Sequence, residues 1–272
     1  MGVLGAEPSA EADTPGVWRR TGELARLQVL LIRREWALPL LYVAIPLVVC
    51  TFVRETYGTV LRLGWPGANG AEVAVPGQAV VAGFLVLALL GWSMFLDHRW
   101  GTWTRLRAAA LRPGEVVAAR LGVGTVHLLV QFALVLGLGA ALFDLRPVRS
   151  WAAVALVTGA TVAMIVGYGA MAMAFSRSNP TFDAFATIGS LVLCGLGGAI
   201  TPEELMPDWA RTVAPYTPVT WAMRGFRACF LGGVDSSIDR AVLTLLGFAG
   251  CFFAVAVLRF RSDEPRQAST RG

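Results

Sequence analysis

Residues with side chains capable of chemistry are few in this 272-residue chain, and most lie within or beside long apolar runs. His127 and Gln131 are four residues apart in an apolar stretch, so on a helix they share one face. Asp183 begins another apolar run, close to Arg177. Polar and ionisable groups inside a membrane are candidates for proton or ion transfer. The ordinary alternatives are an interhelical hydrogen bond for His127 with Gln131, and a helix cap or an ion pair with Arg177 for Asp183.

The composition excludes several kinds of catalytic and cofactor site. All 23 basic residues are arginines, so the chain lacks the phosphate-loop lysine of a conventional ATP site and any Schiff-base lysine. The two histidines, His98 and His127, do not form the H-E-x-x-H motif of a metalloprotease. The four cysteines are scattered without a C-x-x-C pair. We therefore expect no catalytic, cofactor-binding or metal-binding residue in this chain.

The apolar residues point to a membrane protein. Hydrophobic residues make up 56% of the chain and charged residues 15%, whereas roughly a quarter of a soluble domain is charged. The apolar residues form blocks of about 17–25, the length that a helix needs to cross a bilayer. We predict an all-α polytopic protein with six transmembrane helices. They are expected at about 36–53, 73–96, 121–143, 151–175, 182–200 and 241–258.

The six spans are expected to form a single transmembrane domain, residues 17–260. Residues 1–16 have no apolar core of the kind that a signal peptide carries, and we predict a disordered N-terminal tail there. Residues 261–272 are expected to form a C-terminal tail. The first span contains Pro39 and Pro46, which should bend it.

The arginines predict the orientation in the membrane. Five lie before the first span, five in the 97–120 loop and four after the last span, against two each in the 54–72 and 144–150 loops. The longer 201–240 segment has four arginines against five acids. By the positive-inside rule, both termini and the 97–120 loop face the cytoplasm of a plasma-membrane protein. Topology and anionic lipid headgroups thus explain the net charge of +5, and no nucleic-acid partner is expected.

Two segments beside the spans have patterns of their own. Residues 17–35 place leucines at helical spacing among arginines, which predicts an amphipathic helix in the cytoplasmic interface; a plain extension of the first span is the alternative. The residues assigned to this interfacial helix are Arg26, Leu27, Leu31, Arg33 and Arg34. The 201–240 segment has four prolines between apolar stretches too short to cross, which predicts two short helices in a re-entrant hairpin in the outer leaflet.

Small residues recur at every fourth position of the fourth span. Gly159, Ala163 and Gly167 share one helix face, and such faces let helix backbones approach closely. The face is suited either to packing within one subunit or to a contact between two subunits.

Several short motifs follow one another in a fixed order relative to the spans. They are Val75-Pro76-Gly77, Asp97-His98-Arg99-Trp100-Gly101-Thr102, Arg105-Leu106, Arg112-Pro113, and Pro215-Tyr216-Thr217-Pro218 with Arg224 and Gly232. In this order they resemble the ABC-2 type permeases of ABC exporters, and most closely the actinobacterial daunorubicin-resistance type of drug-efflux permease. The resemblance covers nearly all of the chain from about residue 17. The sequence departs from the family pattern at Ala108–Ala110, His98 and Trp100.

The resemblance implies a half-transporter. Two such subunits, identical or related, would form one pathway, and each would dock a separate ATPase subunit that binds ATP and Mg²⁺. The coupling helix that docks the ATPase would contain Asp97, Arg99, Trp100, Gly101, Thr102, Trp103, Arg105 and Leu106. The outer gate would contain Pro215, Tyr216, Pro218 and Arg224. Candidates for the pathway are Phe84, Trp92, His127, Gln131 and Met171, for which the alternative is lipid contact or core packing.

The cargo implied by the resemblance is an amphiphilic drug, natural product or lipid moved out of the cytoplasm or the inner leaflet. A polysaccharide or a teichoic-type polymer is the alternative cargo for the same fold. An alternative from a different class is a membrane scaffold or small channel that transports nothing with ATP.

Overall fold

The computed structural model describes residues 37–99, 113–176, 178–232 and 238–259, and every regular element within these ranges is helical. The long helices are α1 (Ala37–Leu61), α2 (Ala71–Arg99), α3 (Pro113–Phe143), α4 (Trp151–Phe175) and α9 (Ile238–Arg259). Between α4 and α9 lie α5 (Asn179–Asp183), a π-helix (Ala184–Gly189), α6 (Ser190–Leu196), α7 (Asp208–Val213) and α8 (Pro218–Phe230). Two 3₁₀ turns, Glu203–Leu205 and Ala214–Tyr216, flank α7.

The predicted class of all-helical membrane protein is confirmed. Within the described ranges, four helices are long and apolar enough to cross a membrane: Leu40–Leu61, Leu121–Phe143, Trp151–Phe175 and Ile238–Arg259. A shorter apolar helix, Ala71–Leu87, forms the first part of α2. The count of six spans stays a prediction.

Two helices extend beyond the spans that hydropathy predicts. α1 runs through Pro46 and continues to Leu61, past the predicted end at residue 53. The extension contains Arg54 and Glu55, but one of its faces stays apolar, since Tyr57 and Leu61 are buried one turn apart. At the other side of the arginine-rich loop, α3 begins at Pro113 and therefore includes residues 114–120.

The predicted span 182–200 is not one regular α-helix. It is replaced by the fifth segment (179–196), which consists of α5, the π-helix and α6 in direct succession. The segment begins at Ser178, whose hydroxyl caps the backbone N–H of Thr181. It ends because Gly198 adopts a left-handed conformation with φ 86°, and the N–H of Ala199 donates to the carbonyl of Cys194 at 3.1 Å.

Helix α4 lies at the centre of the bundle. In its most apolar stretch 67% of the residues are buried, against 28% in α1 and in α9. α9 packs closely along α4, since a Cβ on Gly167 would lie 3.1 Å from the carbonyl oxygen of Ala249. The Gly167 end of the small-residue face is therefore used for packing within the subunit. Gly159, two turns away, has open space at the position of a Cβ.

The connections between helices gather at one end of the bundle. The side-chain amide of Asn69 donates to the carbonyl of Phe143 at 3.0 Å, which joins the α1–α2 turn to the end of α3. The N–H of Val148 donates to the carbonyl of Cys229 at 2.9 Å, which joins the α3–α4 connection to α8. The same end therefore carries α8 and the residues directly before it, and we name residues 197–217 the cap segment. At the other end of the bundle, Phe175 is the last residue of α4 and Arg259 is the last residue of α9. The Arg259 guanidinium lies 4.9 Å from the centroid of the Phe175 ring.

Candidate functional site

The cap segment is seated against α1, α2 and α8 by close backbone contacts. A Cβ on Gly77 of α2 would overlap the carbonyl oxygen of Ala199, so this crossing needs glycine. The hydroxyl of Tyr57 on α1 donates to the carbonyl of Ile200. A Cβ on Gly197 would overlap the side chain of Val219 on α8. The turn that opens the cap segment is thus held by helices that are distant in sequence.

Two ion pairs hold the cap segment to α8, and we name these four residues the charge latch. Arg224 Nη2 lies 2.9 Å from Glu203 Oε1. Arg227 Nη2 lies 2.6 Å and 2.7 Å from the two carboxylate oxygens of Glu204. The arginines are three residues apart on α8 and share a face, while the glutamates are adjacent in the 3₁₀ turn. Arg227 is the more enclosed arginine, with 17% of its side chain exposed.

Two of the four predicted outer-gate residues, Pro215 and Arg224, contact the side chain of Trp221, and Arg224 also belongs to the charge latch. The indole N–H of Trp221 donates to the carbonyl of Pro215 at 2.9 Å. The guanidinium of Arg224 lies 5.4 Å from the centroid of the same indole ring, a cation–π contact. Pro218 is buried at the first turn of α8, where the missing N–H costs no hydrogen bond. Tyr216 points away from this cluster and is 79% exposed.

A small cavity lies between the end of α6, the 3₁₀ turn and α8. Its volume is about 10 Å³, close to the least that a single water molecule requires. Residues from the charge latch line it together with Gly198, Met206, Thr220 and Met223. This cavity is far too small for a drug or a lipid.

Helix α7 separates an apolar buried face from an exposed one. Ala210 and Ala214 are buried, whereas Trp209 is 66% and Val213 43% exposed. With Tyr216, the exposed pair follows an i, i+4, i+7 spacing on one side of the helix. Aromatic side chains of this kind are enriched at the level of lipid headgroups.

Cys229 of α8 is a packing residue. Its thiol is fully buried. Burial raises the pKa of the Cys229 thiol to about 11, and the nearby Arg149 reduces this shift. The thiolate, which is the nucleophilic form, is therefore scarce at neutral pH. Within the described residues, no three His, Cys, Asp or Glu side chains are grouped so that they could hold a metal ion.

The residues predicted to line a pathway divide into different environments. Phe84 is 1% exposed and packs edge-to-face on Tyr168 at 5.6 Å, which favours the core-packing alternative. Gln131 is 3% exposed, and within the described part of the chain neither its amide nitrogen nor its oxygen has a hydrogen-bond partner. His127 is half-buried, Met171 packs against the core, and Trp92 lies on α2.

Several predicted site residues lie outside the described ranges. These are the interfacial helix at 17–35 and, in the coupling segment, Trp100, Gly101, Thr102, Trp103, Arg105 and Leu106. Asp97 and Arg99 are in the last turn of α2. Asp183 ends α5, and its proposed partner Arg177 is also outside the described ranges.

Sequence reasoning missed three members of the charge latch, namely Glu203, Glu204 and Arg227. The available signal was the near balance of charge in the 201–240 segment, four arginines against five acids, in a chain that is otherwise poor in acids. In the sequence analysis this balance of charge predicts only the orientation of the segment in the membrane. It also indicates that charges of opposite sign can pair within the segment.

A comparison with known protein families matches residues 20–231 to the ABC-2 type transporters. The chain belongs to the ABC-2 type transporter family. The match includes the arginine-rich segment between α2 and α3, the whole cap segment and α8. The predicted family resemblance is therefore confirmed, and the protein is a membrane transport permease. The narrower likeness to actinobacterial drug-efflux permeases stays a prediction.

Two curated relatives of this ABC-2 permease are similar over much of its length. The chain is 25% identical over 199 residues to the linearmycin resistance permease protein LnrN of Bacillus subtilis, covering 71% of this chain and 49% of that protein. It is 29% identical over 184 residues to the inner membrane transport permease YhhJ of Escherichia coli, covering 65% of this chain and 48% of that protein. The chain thus spans about half the length of these relatives.

Proposed function

We propose that this ABC-2 permease exports an amphiphilic drug, natural product or lipid, using ATP that a separate ATPase subunit hydrolyses. The observation that carries the proposal is the family match, which runs from residue 20 through the arginine-rich segment into the cap segment. The two relatives, named as a resistance permease and a transport permease, support a transport role. The lysine-free sequence supports an ATP site on another polypeptide.

The proposed complex contains two permease subunits in the plasma membrane, each with six spans and both termini in the cytoplasm. Among the described residues, Phe84 and the stacked pair Phe132 and Phe226 are buried in the core of one subunit. Because such a core has no room for a passage, we place the pathway between two subunits. The interfacial helix at 17–35 and the coupling segment 97–113 would contact the ATPase.

Helix α2 is suited to carry motion from the ATPase to the cap segment. It is 29 residues long, ends at Arg99 beside the coupling segment, and contacts Ala199 of the cap segment through Gly77. The stretch from Gly77 to Arg99 measures about 33 Å at 1.5 Å per residue. Movement of the coupling segment on ATP binding would displace this helix as a rigid body. The displacement would therefore reach the turn that opens the cap segment.

The charge latch would keep the outer gate closed between transport events. The cavity between the cap segment and α8 is too small for a substrate. Opening therefore requires the cap segment to move relative to α8, and the two ion pairs between them resist that motion. The exposed aromatic face of α7 would rest at the headgroup level of the outer leaflet, where an amphiphile leaves the pathway.

The proposal is tested by producing the permease together with the proposed ATPase subunit and purifying the two. We expect stable co-purification, and ATP-dependent uptake of fluorescent daunorubicin as a probe into inside-out vesicles. A chain that binds no ATPase and drives no ATP-dependent uptake of this probe or of fluorescent phospholipid would contradict the export proposal.

The docking assignment makes a separate prediction. Trp103→Ala and Arg105→Glu should weaken co-purification of the ATPase, or should uncouple ATP hydrolysis from export so that hydrolysis continues without transport. An aromatic anchor and an arginine are the residue types that contribute most to protein interfaces, typically about 2 kcal/mol or more for a central residue. The matched control is Arg146→Glu, a charge reversal at the 83%-exposed arginine at the cap end. Full binding and full coupling in both docking variants would show that the ATPase docks elsewhere.

A further inference from the structure

The fifth segment contains a π-helix in the middle of an otherwise regular run. Ala184–Gly189 form this turn between α5 and α6. π-Helices are rare, because the wider turn weakens packing along the helix axis, and they occur frequently at functional positions. A π-turn also shifts the register of everything that follows, since one residue corresponds to about 100° of rotation and 1.5 Å of rise. The orientation of α6 therefore depends on this turn.

A tyrosine from the central helix contacts the π-helix directly. The hydroxyl of Tyr168 on α4 donates a hydrogen bond to the carbonyl of Phe185 at 2.6 Å. The tyrosine ring is held by edge-to-face contacts with Phe84 at 5.6 Å and Phe252 at 5.9 Å. Tyr168 is therefore a fixed donor, and it engages a carbonyl within the π-helix itself.

Gly189, the last residue of the π-helix, lies so close to the Tyr168 hydroxyl that there is no space for a side chain at this position. A Cβ built on Gly189 would overlap Tyr168 Oη, whereas the next atom of the ring, Cζ, would be 3.5 Å away. Only the hydroxyl oxygen excludes a side chain at position 189. The close approach and the hydrogen bond to Phe185 thus belong to one contact between α4 and the π-helix.

The π-helix lies directly before the turn that opens the cap segment. α6 follows it and ends at Leu196, and the next residue, Gly197, packs against Val219 of α8. In the present register Cys194 is buried, while Leu191 and Val192 are exposed. Converting the π-turn to an α-turn would rotate α6 and move Gly197 away from Val219.

We propose that the π-helix Ala184–Gly189 is a register hinge for the cap segment, and that Tyr168 is the positioning residue that holds it in the closed register. The role in gating rests on the export function proposed above, whereas the contact itself does not. Loss of the hydroxyl frees the Phe185 carbonyl to return to an α-helical hydrogen bond. The hinge then spends more time in the other register.

The test combines Tyr168→Phe, Gly189→Ala and the double variant, studied in the full-length permease with its ATPase. Gly189→Ala alone should lower the apparent Tm by several degrees, because the new methyl group meets the hydroxyl. In the Tyr168→Phe background the same alanine should have little effect, since the overlapping oxygen is gone. Equal damage from Gly189→Ala in both backgrounds would overturn the matched contact. Gly195→Ala is the control, because a Cβ there has open space.

Hydrogen–deuterium exchange of the backbone reports the hinge without requiring transport. Tyr168→Phe should accelerate exchange within residues 184–196 about fivefold, the effect expected for one hydrogen bond. Tyr42→Phe is the control, since the Tyr42 hydroxyl makes no hydrogen bond within the described residues. Unchanged exchange in residues 184–196 would overturn the hinge, whatever the outcome of the transport measurements.

Export per ATP separates positioning from a purely structural role. Tyr168→Phe should lower daunorubicin uptake per ATP hydrolysed severalfold while ATP hydrolysis itself stays near the wild-type rate. If the wild-type complex shows no ATP-driven uptake, the export proposal is wrong. Hydrogen–deuterium exchange and the effect of Gly189→Ala in the two backgrounds still test whether the π-helix is a hinge. If the wild type exports and Tyr168→Phe keeps full uptake per ATP, the gating role of Tyr168 is overturned.

Discussion

Arg227→Glu is expected to lower export at least tenfold, and adding Glu204→Arg is expected to restore most of it. In the single variant two carboxylates face each other where the structure has Arg227 Nη2 at 2.6 Å and 2.7 Å from the two carboxylate oxygens of Glu204. Hydrogen bonds to charged groups contribute about 1.5–3 kcal/mol, and the single variant adds repulsion to their loss. A free-energy change of about 1.4 kcal/mol already corresponds to a factor of ten. The double variant exchanges the signs and re-forms the pair.

The expected cause of the lost export is a cap segment that no longer closes. We would measure it with Thr220→Cys, since Thr220 is 3% exposed and lines the small cavity. In a Cys251→Ser background the remaining native cysteines, Cys50, Cys194 and Cys229, are all buried. A membrane-impermeant maleimide should label position 220 in Arg227→Glu and leave it unlabelled in the double variant.

The control for the charge reversal lies in the same cap segment. Arg211 pairs with Asp208 at 3.8 Å, and the two side chains are 49% and fully exposed. Exposed pairs of this kind contribute about 0–1 kcal/mol, so Arg211→Glu should change export and labelling little. If Arg211→Glu and Arg227→Glu had equal effects, or if Glu204→Arg gave no rescue, the charge latch would not be what closes the cap segment.

Gly77→Ala should destabilise the protein, although the same change in most helices is favourable. Alanine is preferred to glycine within a helix by about 1 kcal/mol. At Gly77, however, the added methyl group would overlap the backbone carbonyl oxygen of Ala199, and a backbone atom cannot turn aside as a side chain can. Forcing an extra group into a packed crossing costs about 1–3 kcal/mol, which exceeds the gain in helix propensity.

Thermal unfolding of the purified protein measures this difference. Gly77→Ala should lower the apparent Tm by several degrees and reduce export, because α2 and the cap segment separate. Gly122→Ala on α3 is the matched control, since a Cβ there meets no atom of the described residues within 4 Å. A Gly77→Ala protein as stable and active as Gly122→Ala would show that α2 does not press on the cap segment.

The Gly77→Ala and Arg227→Glu predictions concern two contacts of the same cap segment, one with α2 and one with α8. In the proposed mechanism, α2 would bring motion to the cap segment through the contact of Gly77 with Ala199, and the charge latch would resist the opening that this motion produces. The hinge beside Tyr168 acts on the same cap segment from the fifth segment. A cap segment supported from several helices can switch between discrete arrangements, because packed contacts either fit or do not.

The class of protein was determined by the sequence alone, for a physical reason. A bilayer requires long uninterrupted apolar stretches, and it sorts arginines to the ends of helices, so both signals are local and additive along the chain. The same holds for the absence of lysine, which excludes a conventional ATP site without any reference to the fold. The short motifs around Gly77, Asp97 and Pro215 added the family, which the match over residues 20–231 confirms.

The contacts that make the cap segment a candidate gate were decided only by the tertiary structure. Glu204 and Arg227 are 23 residues apart, and Tyr57 and Ile200 are 143 residues apart, so no local pattern pairs them. The π-helix could not be predicted for a related reason, because the residue that contacts it, Tyr168, lies on a different helix. Its register depends on where Tyr168 places one hydroxyl. Hydropathy predicts which residues enter the membrane, but only helix packing decides which of them meet.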